Sequence, residues 1–401
     1  MHYIVVGISN NSEVELNDEV KSLLPVHKIF SGRQKHYEMV KDLLPENHRW
    51  IEIKNDMQQV LDEYKKSNES VVVFTSGDPL FYGVANTLKK LQPEVILKVY
   101  PYFNSLQLLC HKCNIAYQNS WNTSVHDRSW DELDIALIYQ KELIGVLADA
   151  EKNPALIAQR MLTYGFDNYK IIVGEALESK AETIKSLSLQ HAANTRFNPL
   201  SSVLLIRTSQ RKKPFGIPDE EFDVLEDVPN LVVKKPVRLM NLSCLDLYNR
   251  KTFWDIGFGA GSMSIEAKKQ FPFLNVFSFE SNDKCDELLE SNTKKFSTPG
   301  LTKVIANIIG CDLSIIAPPD AVFIGEHDYN QMDLIKLMDK YLLPKGRMVI
   351  NVKKDEDKKQ FIDIVKQLNY TVVESIAVKA GKGETVTIVT VEKNVLPSGM
   401  V

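Results

Sequence analysis

No apolar run in this 401-residue sequence approaches the roughly 20 residues that a membrane-spanning helix needs. The opening MHYIVVGISNN has a short apolar run with no Lys or Arg before it, which predicts a first β-strand rather than a targeting segment. With 48 Lys and Arg against 52 Asp and Glu, the formal net charge is −4, so no excess of positive charge indicates nucleic acid or an anionic membrane. We therefore expect a cytoplasmic protein that binds neither membranes nor nucleic acid.

Cysteine is sparse as well, with five residues in the whole chain. Five thiols in a chain of this size are typical of a reduced cytosolic protein rather than of a disulfide scaffold. Cys110 and Cys113 form a C-x-x-C pair in CHKC, but without a second pair this is weak support for zinc. Two small buried thiols on a helix turn are the simpler interpretation. No catalytic triad or cluster of metal ligands stands out, and we predict no metal site.

The sequence does contain an alternation of apolar strands and helical segments in both halves. Near-continuous apolar runs between helices indicate mostly parallel sheets covered on both faces, so the fold class is α/β. The segment 209–222 combines a basic cluster, prolines, a glycine and an acidic cluster, which is typical of a linker. We therefore predict domains over residues 1–210 and 223–401, joined by a linker over 211–222. The strand candidates are HYIVVG, SVVVFTS, VILKVY, DIALIY, YKIIVG and SVLLIR, then KTFWDIG, NVFSFE, TKVIAN, DAVFIG, GRMVINV, TVVESIAV and ETVTIVTVEK.

The second half carries a glycine-rich loop in WDIGFGAGSMSIEA. A strand precedes Gly257, Gly259 and Gly261, and residues 262–271 form a predicted helix. Its N-terminus offers free N–H groups to a ligand. Glu280 lies about 20 residues beyond the loop, at the end of the next strand, where an acid can accept both hydroxyls of a ribose. This spacing fits a dinucleotide as well as S-adenosylmethionine, and a tight turn without any ligand is the plainer alternative.

Three features of the second half favour the methyl donor over a dinucleotide. Asp255 precedes the first glycine, as in loops of the form D-x-G-x-G-x-G. No basic partner for a pyrophosphate is evident near the loop. The last two strands are joined by a short AGKG turn, and a parallel sheet that ends in such a pair is the usual layout of Rossmann-like methyltransferases.

The first half carries a different signature, VVVFTSGDPLFYG, at residues 71–83. Its SGDP follows an apolar strand and its LFYG opens a predicted helix, so the turn lies at a strand's carboxyl end, where open α/β sheets bind ligands. A plain Gly-Asp-Pro turn into a helix is the alternative. Because the two signatures are not copies, they predict two unrelated folds joined end to end, with two methyl-donor sites serving two methylations of one substrate.

The run SGDPLFYG resembles the tetrapyrrole methylase family (class III methyltransferases) in its corrin-pathway branch. Other stretches of the first half resemble the family in the same order: GISNNSEVELN, GRQKH, NSLQLLCHKCNIAYQNS and HDR. The second half resembles the Rossmann-like (class I) partner to which this branch is fused, through GIPDEEF, KKPVRLMNLSCL, WDIGFGAGSMSIE and AVFIG. The resemblance covers essentially the whole chain. It implies a two-lobed N-terminal tetrapyrrole methylase fold followed by a seven-stranded Rossmann-like fold.

The resemblance also implies an activity and a set of donor-site residues. The N-terminal domain is expected to methylate carbon 5 of a precorrin, and the C-terminal domain to methylate carbon 15 and decarboxylate an acetate side chain, in cobalamin biosynthesis. Both are expected to use S-adenosylmethionine, and because class III methylases usually dimerise, we expect a homo-oligomer. The residues expected to line the first donor site are Gly7, Ser76, Gly77, Asp78, Pro79, Leu80 and Ser105, and those of the second are Asp255, Gly257, Gly259, Gly261, Glu280 and Asp312.

Because such a substrate carries many carboxylates, each site is expected to be locally basic. The candidates are Arg33, Lys35, His36 and Arg128 in the first domain, and Lys234, Lys235 and Arg238 in the second. For any one of them a solvated surface charge is the alternative. His36 and Arg128 are the stronger candidates, because each lies inside a matched motif.

Several positions depart from the family pattern. Pro236 stands where an acid is expected, H-G-R has become HDR, and the glycines expected after FIG are replaced by Glu326 and His327. These two side chains are candidate proton donors for the decarboxylation, and a polar strand end is the alternative. The changes fall in substrate-facing parts rather than in the donor loops.

Two other classes of protein remain open at this stage. A pair of RNA or protein methyltransferases is one, because class III relatives also modify ribosomal RNA and diphthine precursors. The balance of 48 basic against 52 acidic residues gives no support to RNA. A non-catalytic scaffold is the other, and the intact glycines and acids of both loops argue against it. The sequence does not distinguish a substrate with cobalt from one without.

Overall fold

The computed structural model describes residues 2–11, 14–54, 56–226, 228, 231–325, 329–381 and 385–395. The chain divides into two compact units. The first comprises Met1–Arg128, Glu142–Gln159 and Tyr169–Thr208, and the second comprises Ser129–Lys141, Arg160–Asn168 and Ser209–Val401. Within the described ranges, no helix is long and apolar enough to cross a membrane.

A five-stranded parallel sheet opens the first unit. Its strands are β1 (His2–Ile8), β2 (Ile29–Gly32), β3 (Arg49–Glu52), β4 (Val71–Ser76) and β5 (Ile96–Tyr100), and the helices of this region are α1 (Asp18–Leu23), α2 (Gln34–Val40), α3 (Met57–Ser67) and α4 (Val84–Leu91). The spatial order is β3-β2-β4-β1-β5. Because β1 and β4 are parallel neighbours, with Gly7 opposite Thr75 and Ile8 opposite Ser76, both strands end at the same edge of the sheet.

A second sheet of five strands completes the first unit. The elements that follow β5 in the chain are α5 (Ser105–Lys112), β6 (Trp121–Ser124), α6 (Asp131–Ile138), β7 (Leu143–Leu147), α7 (Pro154–Thr163), β8 (Tyr169–Glu175), β9 (Thr183–Ser188), α8 (Leu189–Ala192) and β10 (Ser201–Arg207). Of these, α6 and the end of α7 from Arg160 onwards belong to the second unit. The strand order is β6-β7-β10-β8-β9. The β6–β7 pair is parallel and the other pairs are antiparallel. The two sheets are the two lobes that the resemblance implied.

Two details of the first half differ from the strand pattern. DIALIY lies in α6, not in a strand, and the buried strand is β7, a few residues later. The period of a short apolar run does not separate a buried strand from a buried helix. The acids Asp131 and Glu132 in the first turn are typical of a helix start. The second sheet is mostly antiparallel, although near-continuous apolar runs indicated parallel strands. The runs in β8 and β10 reflect burial along almost the whole length of these two strands, which an antiparallel sheet also allows.

The second unit contains the seven-stranded sheet, in the order β13-β12-β11-β14-β15-β17-β16. Its elements are α9 (Lys235–Cys244), β11 (Thr252–Ile256), α10 (Ser262–Gln270), β12 (Asn275–Glu280), α11 (Lys284–Lys295), β13 (Leu301–Ile305), β14 (Ala321–Ile324), α12 (Gln331–Tyr341), β15 (Arg347–Val352), α13 (Asp355–Gln367), β16 (Tyr370–Lys379) and β17 (Thr385–Lys393). The first five strands are parallel, and β17 runs antiparallel to both of its neighbours, β15 and β16. The prediction of a Rossmann-like sheet that ends in a hairpin-like pair is confirmed.

Part of the predicted linker packs as core. Ile217 is fully buried and Phe222 is 4% exposed, and both join an apolar cluster with Phe258 and Ile265. The last segment of the second unit begins at Ser209. Because Ile217 and Phe222 are in the core, the stretch without core contacts is shorter than residues 211–222. The domain boundaries themselves stay a prediction.

A fully buried ion pair holds this segment. Arg238 on α9 and Glu266 on α10 are both 0% exposed, with Nε of Arg238 3.3 Å from Oε2 of Glu266. Glu266 also accepts hydrogen bonds from the N–H groups of Gly216 and Ile217, and Arg238 donates to Asp219 Oδ1 at 3.0 Å. Arg238 was a candidate for binding substrate carboxylates. The structure contradicts this expectation, because its guanidinium is enclosed and already paired.

We expect Glu266→Ala to destabilise the second unit by about 3–5 kcal/mol, because it removes the fully buried counter-charge of Arg238 and the acceptor of the Gly216 and Ile217 N–H groups. Hydrogen exchange of the full chain, read by mass spectrometry on peptides from β11 and α10, measures this loss. Glu290→Ala is the matched control, because its pair with Lys294 is half exposed. The control should cost about 1 kcal/mol or less. Equal loss of protection in the two variants would contradict the structural role of the buried pair.

Candidate functional site

A cleft of about 1440 Å³ lies in the first unit, where β1, β4 and β5 end. Both lobes contribute to its walls. Of the residues predicted for the first donor site, Ser76, Gly77, Asp78 and Ser105 line it, and so does Arg128. Other lining residues are Asn10, Lys35, Phe81, Tyr82, Tyr102, Phe103, Leu108 and Glu178. The size suits a site for both a nucleoside-sized ligand and part of a second, larger molecule.

Two glycines allow three loops to meet at the base of this cleft. A Cβ on Gly7 would lie 2.0 Å from the carbonyl oxygen of Gly77 and 2.7 Å from the amide nitrogen of Tyr102. Gly77 adopts a φ of +69° and donates its N–H to Ile8 O at 2.9 Å. Gly7 is therefore needed for close backbone packing and does not itself line the cleft. A larger residue at Gly7 would separate the loops that follow β1, β4 and β5, whereas at Gly77 it would strain the left-handed backbone.

The SGDP turn has exposed and buried parts. Asp78 lines the cleft, and its Oδ1 accepts the N–H of Leu80 at 2.8 Å. Pro79 is buried, and Leu80 is 52% exposed without lining the cleft. The helix starts later than predicted, at Val84, after the turn. Asp78 is therefore the member of this turn whose side chain both shapes the loop and faces the cleft.

His36 lies behind the cleft wall. It is 4% exposed, its Nδ1 accepts the N–H of Arg33 at 3.2 Å, and its Nε2 lies 3.0 Å from Ser76 Oγ. Burial, together with the nearby charges of Lys35 and Arg33, lowers its pKa to about 4, so the ring is neutral at pH 7 with its proton on Nε2. The Ser76 hydroxyl in turn donates to Asn10 Oδ1 at 3.0 Å. The geometry is that of a positioning residue that acts through Ser76, not of a cation for substrate carboxylates.

The cleft is not basic, contrary to expectation. Lys35 and Arg128 are its Lys and Arg residues, and the Arg128 guanidinium lies 5.1 Å from the ring centre of Tyr82. Six carboxylates line the same space: Glu38, Asp78, Asp127, Asp149, Glu151 and Glu178. Some are engaged locally, as Glu38 is with Lys41 at 2.8 Å. The first site is therefore acidic overall, with its positive charge confined to two side chains.

The glycine loop of the second unit has the predicted geometry. Gly257, Gly259 and Gly261 have φ values of +73°, +55° and +78°, which favour glycine. A Cβ on Gly261 would lie 2.2 Å from Leu289 Cδ1, and one on Gly259 would lie 2.7 Å from the carbonyl oxygen of Leu231. The loop joins β11 to the N-terminus of α10. All three glycines are thus required by conformation, by packing or by both.

Glu280 lies beside this loop, as predicted. Its Oε2 accepts the N–H of Gly259 at 3.0 Å, and its Oε1 accepts the N–H groups of Ser281 and Asn282 at 2.9 and 3.1 Å. The side chain is half-buried at the end of β12. A carboxylate has about four acceptor positions, so at least one stays free for a ribose hydroxyl. Glu280 therefore fits both as an anchor of the loop and as an acceptor for the donor's ribose.

Asp255 does not reach the site surface, although the D-x-G-x-G-x-G pattern suggested it. It is fully buried, and its Oδ2 accepts the N–H and the hydroxyl of Ser264 at 3.0 and 2.5 Å. Oδ1 has no partner within the described residues. Burial, reinforced by the negative charge of Glu280, raises the pKa of Asp255 to about 7. Asp255 thus stabilises the first turn of α10 through its hydrogen bonds to Ser264.

Of the other predicted residues of the second site, the structure describes Asp312. Asp312 is exposed and caps its own turn by accepting the N–H of Ser314 at 3.0 Å, so its adenine contact stays a prediction. Glu326 and His327 lie outside the described residues. The residue before them, Gly325, is close to the loop, because a Cβ there would lie 2.7 Å from the carbonyl oxygen of Gly257.

Sequence reasoning missed several lining residues of the first cleft. Asn10, Tyr102 and Glu178 face it although none was singled out. Asn10 and Tyr102 follow β1 and β5, whose positions at the carboxyl edge of a parallel sheet are a usable signal. Glu178 follows a strand of the antiparallel lobe, where that rule gives no guidance.

We expect the stability of the second unit to fall as pH rises from about 4 to 7. Asp255 keeps its proton in the native state over this range, whereas an exposed Asp in the unfolded chain has lost it, so the slope is about 1.4 kcal/mol per pH unit. Asp255→Asn cannot ionise and should lack this fall. Scanning calorimetry of the full chain at several pH values measures the difference, with Asp363→Asn, exposed on α13, as the control. Parallel pH profiles for wild type and Asp255→Asn would contradict the raised pKa.

Comparison with known proteins identifies both halves of the chain. Residues 11–193 match the tetrapyrrole (corrin/porphyrin) methylases, and residues 228–388 match the precorrin methyltransferase domain. Precorrin-6Y C(5,15)-methyltransferase (decarboxylating) of a Sinorhizobium species is 26% identical over 323 residues, which span 80% of this chain and 77% of the relative. The protein of the same name from Mycobacterium tuberculosis (strain CDC 1551 / Oshkosh) is 23% identical over 330 residues, which span 80% of each chain.

A solved structure is similar to part of the chain. The crystal structure of precorrin-6y C5,15-methyltransferase from Geobacter metallireducens GS-15 is 30% identical, covers 46% of this chain and 100% of that chain, and superposes with a TM-score of 0.42. The two family matches lie in succession along the sequence, and the Sinorhizobium and Mycobacterium relatives each align with 80% of the chain. The chain belongs to the family in which a tetrapyrrole methylase is joined to a precorrin methyltransferase domain.

Proposed function

We propose that this chain transfers methyl groups from S-adenosylmethionine to carbons 5 and 15 of a precorrin and decarboxylates one acetate side chain, as a step of cobalamin biosynthesis. The observation that carries the proposal is the presence of two unlike glycine loops in one chain. The turn at residues 76–80 lies within the tetrapyrrole methylase match, and the loop at residues 257–261 lies within the precorrin methyltransferase match. The relatives of that double activity align along 80% of the chain.

Methylases of this family use S-adenosylmethionine as the methyl donor. We assign the first donor site to Ser76, Gly77, Asp78 and Ser105, supported by Gly7 and His36. We assign the second to the loop of Gly257, Gly259 and Gly261 with Glu280, supported by Asp255. Residues 1–210 would serve carbon 5, and residues 223–401 would serve carbon 15 and the decarboxylation.

The chemistry needs alignment more than a strong base. When bound, the donor would supply a methyl group on a sulfonium. An enamine-like bridge carbon of the reduced macrocycle would attack that methyl carbon in line, so that a C–C bond forms as the C–S bond breaks and S-adenosylhomocysteine leaves. The chain's part is to hold the two reactants in that line and to exclude water, and orientation alone supplies several kcal/mol of such a barrier. Phe81, Tyr82, Phe103 and Leu108 give the first cleft an apolar wall against which a macrocycle can lie. This agrees with the lack of a catalytic triad in the sequence.

The charges of the first cleft fit a small precorrin better than RNA. The carboxylates of a precorrin end short flexible side chains at the rim of the ring, so they can reach Arg128 and Lys35 or remain in water. A nucleic acid carries a phosphate at every nucleotide and needs a continuous basic track. Six lining carboxylates are incompatible with such a track. The decarboxylation needs a proton donor near the second loop, and we keep Glu326 and His327 as the candidates.

The reaction is tested by incubating the full chain with precorrin-6Y and S-adenosylmethionine and measuring the mass of the product by mass spectrometry. We expect the gain of two methyl groups and the loss of one carbon dioxide. Omission of S-adenosylmethionine is the control for spontaneous decarboxylation. A product with no added methyl group would contradict the proposal. Light scattering of the same preparation tests the homo-oligomer that we propose from the behaviour of class III methylases.

We expect Glu280→Ala to suppress methylation at carbon 15 while carbon 5 is still methylated, and Asp78→Ala to do the reverse. Each substitution removes one donor-site carboxylate, and the polar groups left unpaired cost about 1–3 kcal/mol of donor binding. NMR of the product made with labelled methyl donor measures the two positions separately. Glu287→Ala, exposed on α11, is the control for Glu280→Ala. Equal loss at both carbons in a folded variant would contradict the assignment of one site to each domain.

A further inference from the structure

Glu178 lies in the loop between β8 and β9 and lines the first cleft. Its backbone is left-handed, with a φ of +65°, and Ala176 two residues earlier has a φ of +46°. Such a conformation is strained for a residue other than glycine and persists where the surroundings enforce it. Here the Glu178 N–H donates to Glu182 Oε2 at 2.6 Å, and Glu182 pairs with Lys112 at 2.9 Å. The loop is thus held in a shape that directs a charged side chain into the cleft.

The Glu178 carboxylate contacts the loops that form the first donor site. Its Oε1 accepts the hydroxyl of Tyr102 at 2.6 Å, and its Oε2 accepts the N–H of Asn10 at 3.3 Å. The side-chain oxygen of Asn10 accepts a hydrogen bond from the Ser76 hydroxyl, and the backbone amide of Tyr102 packs against Gly7. Burial and the adjacent Glu178 raise the pKa of Tyr102 to about 12, so this phenol remains a proton donor to the carboxylate. Glu178 therefore belongs to the second lobe but is fixed beside the donor loops of the first.

The charge of Glu178 is not neutralised by its own surroundings. In the part of the chain that the structure describes, both hydrogen-bond partners of its carboxylate are neutral, a phenol and a backbone amide. An ionised carboxylate in a half-enclosed cleft is stabilised by an opposite charge. The carboxylates of a precorrin would be repelled by it. The methyl donor carries the complementary charge, on its sulfonium and on its ammonium.

We propose that Glu178 binds the positive charge of the methyl donor in the first site and so fixes which end of the cleft the donor occupies. The proposal rests on the proposed function, and it adds a recognition residue that lies outside the SGDP turn. Tyr102 is a positioning residue that holds the carboxylate through its hydroxyl. The second lobe would therefore contribute to donor binding directly and not only to substrate binding.

Titration calorimetry of the full chain with S-adenosylmethionine and S-adenosylhomocysteine tests this, with the second site as an internal reference. We expect Glu178→Gln to weaken the first site for S-adenosylmethionine at least tenfold and to leave the second unchanged. Weakening of both ligands identifies the ammonium as the contact, and weakening of S-adenosylmethionine alone identifies the sulfonium, which the homocysteine form lacks. Glu178→Gly gives the same loss in a chain whose left-handed backbone is unstrained, so a folding defect is separated from a binding defect.

Glu151→Gln is the matched control, because Glu151 also lines the cleft but follows β7. It should change donor affinity less than twofold. Tyr102→Phe should weaken the first site severalfold in wild type but not further in Glu178→Gln, because it acts through that carboxylate. The proposal would be overturned if Glu178→Gln bound both ligands at the first site with affinities within twofold of wild type. Glu178 would then have only a structural role, through its hydrogen bonds between the lobes. A wild-type chain that binds neither ligand at the first site would instead overturn the proposed function.

Discussion

The buried pair of Arg238 and Glu266 determines where the second glycine loop lies. Glu266 is on the helix that begins directly after Gly261, and Arg238 is on α9, so their contact sets the spacing of these two helices. The same carboxylate accepts the N–H groups of Gly216 and Ile217. Two charges without water are stable only if nearly all of their polar atoms are paired. The segment at Gly216 and Ile217, α9 and α10 are therefore linked through one carboxylate, and the position of the glycine loop depends on all three.

The strands and loops that bind ligands were largely predictable from sequence, because they obey local rules. Gly257 and Glu280 follow from strand ends in a parallel sheet, and both lie where expected. DIALIY was misassigned because an eight-residue buried helix and a buried strand have the same apolar composition. Asp255 and Arg238 were misassigned for another reason. A charged residue in a sequence does not show whether its partner is a ligand or another buried side chain.

On the proposed function, the acidity of the first cleft would separate the two reactants by charge. A uniformly basic cleft would attract the precorrin everywhere and would repel a cationic methyl donor. The cleft would therefore have positions that favour a cation and positions that favour an anion. Carboxylates such as Asp78 and Glu178 lie near the donor loops, and Arg128 lies against Tyr82 elsewhere on the wall. Net charge and composition cannot reveal this arrangement, because they add the two signs together.

The two proposed donor sites are held in shape by different interactions. In the first, Gly7 and Gly77 bring three backbone segments into direct contact, and neutral hydrogen bonds through His36, Ser76 and Asn10 fix the side chains. In the second, the Glu280 carboxylate holds the Gly259 amide, and the buried Asp255 supports the helix start. The second site has two acids close together, and burial with the charge of Glu280 raises the pKa of Asp255 to about 7, so this carboxyl loses its proton near neutral pH. Donor binding at the second site should therefore respond to pH near 7, whereas the first site, with its neutral histidine, should not.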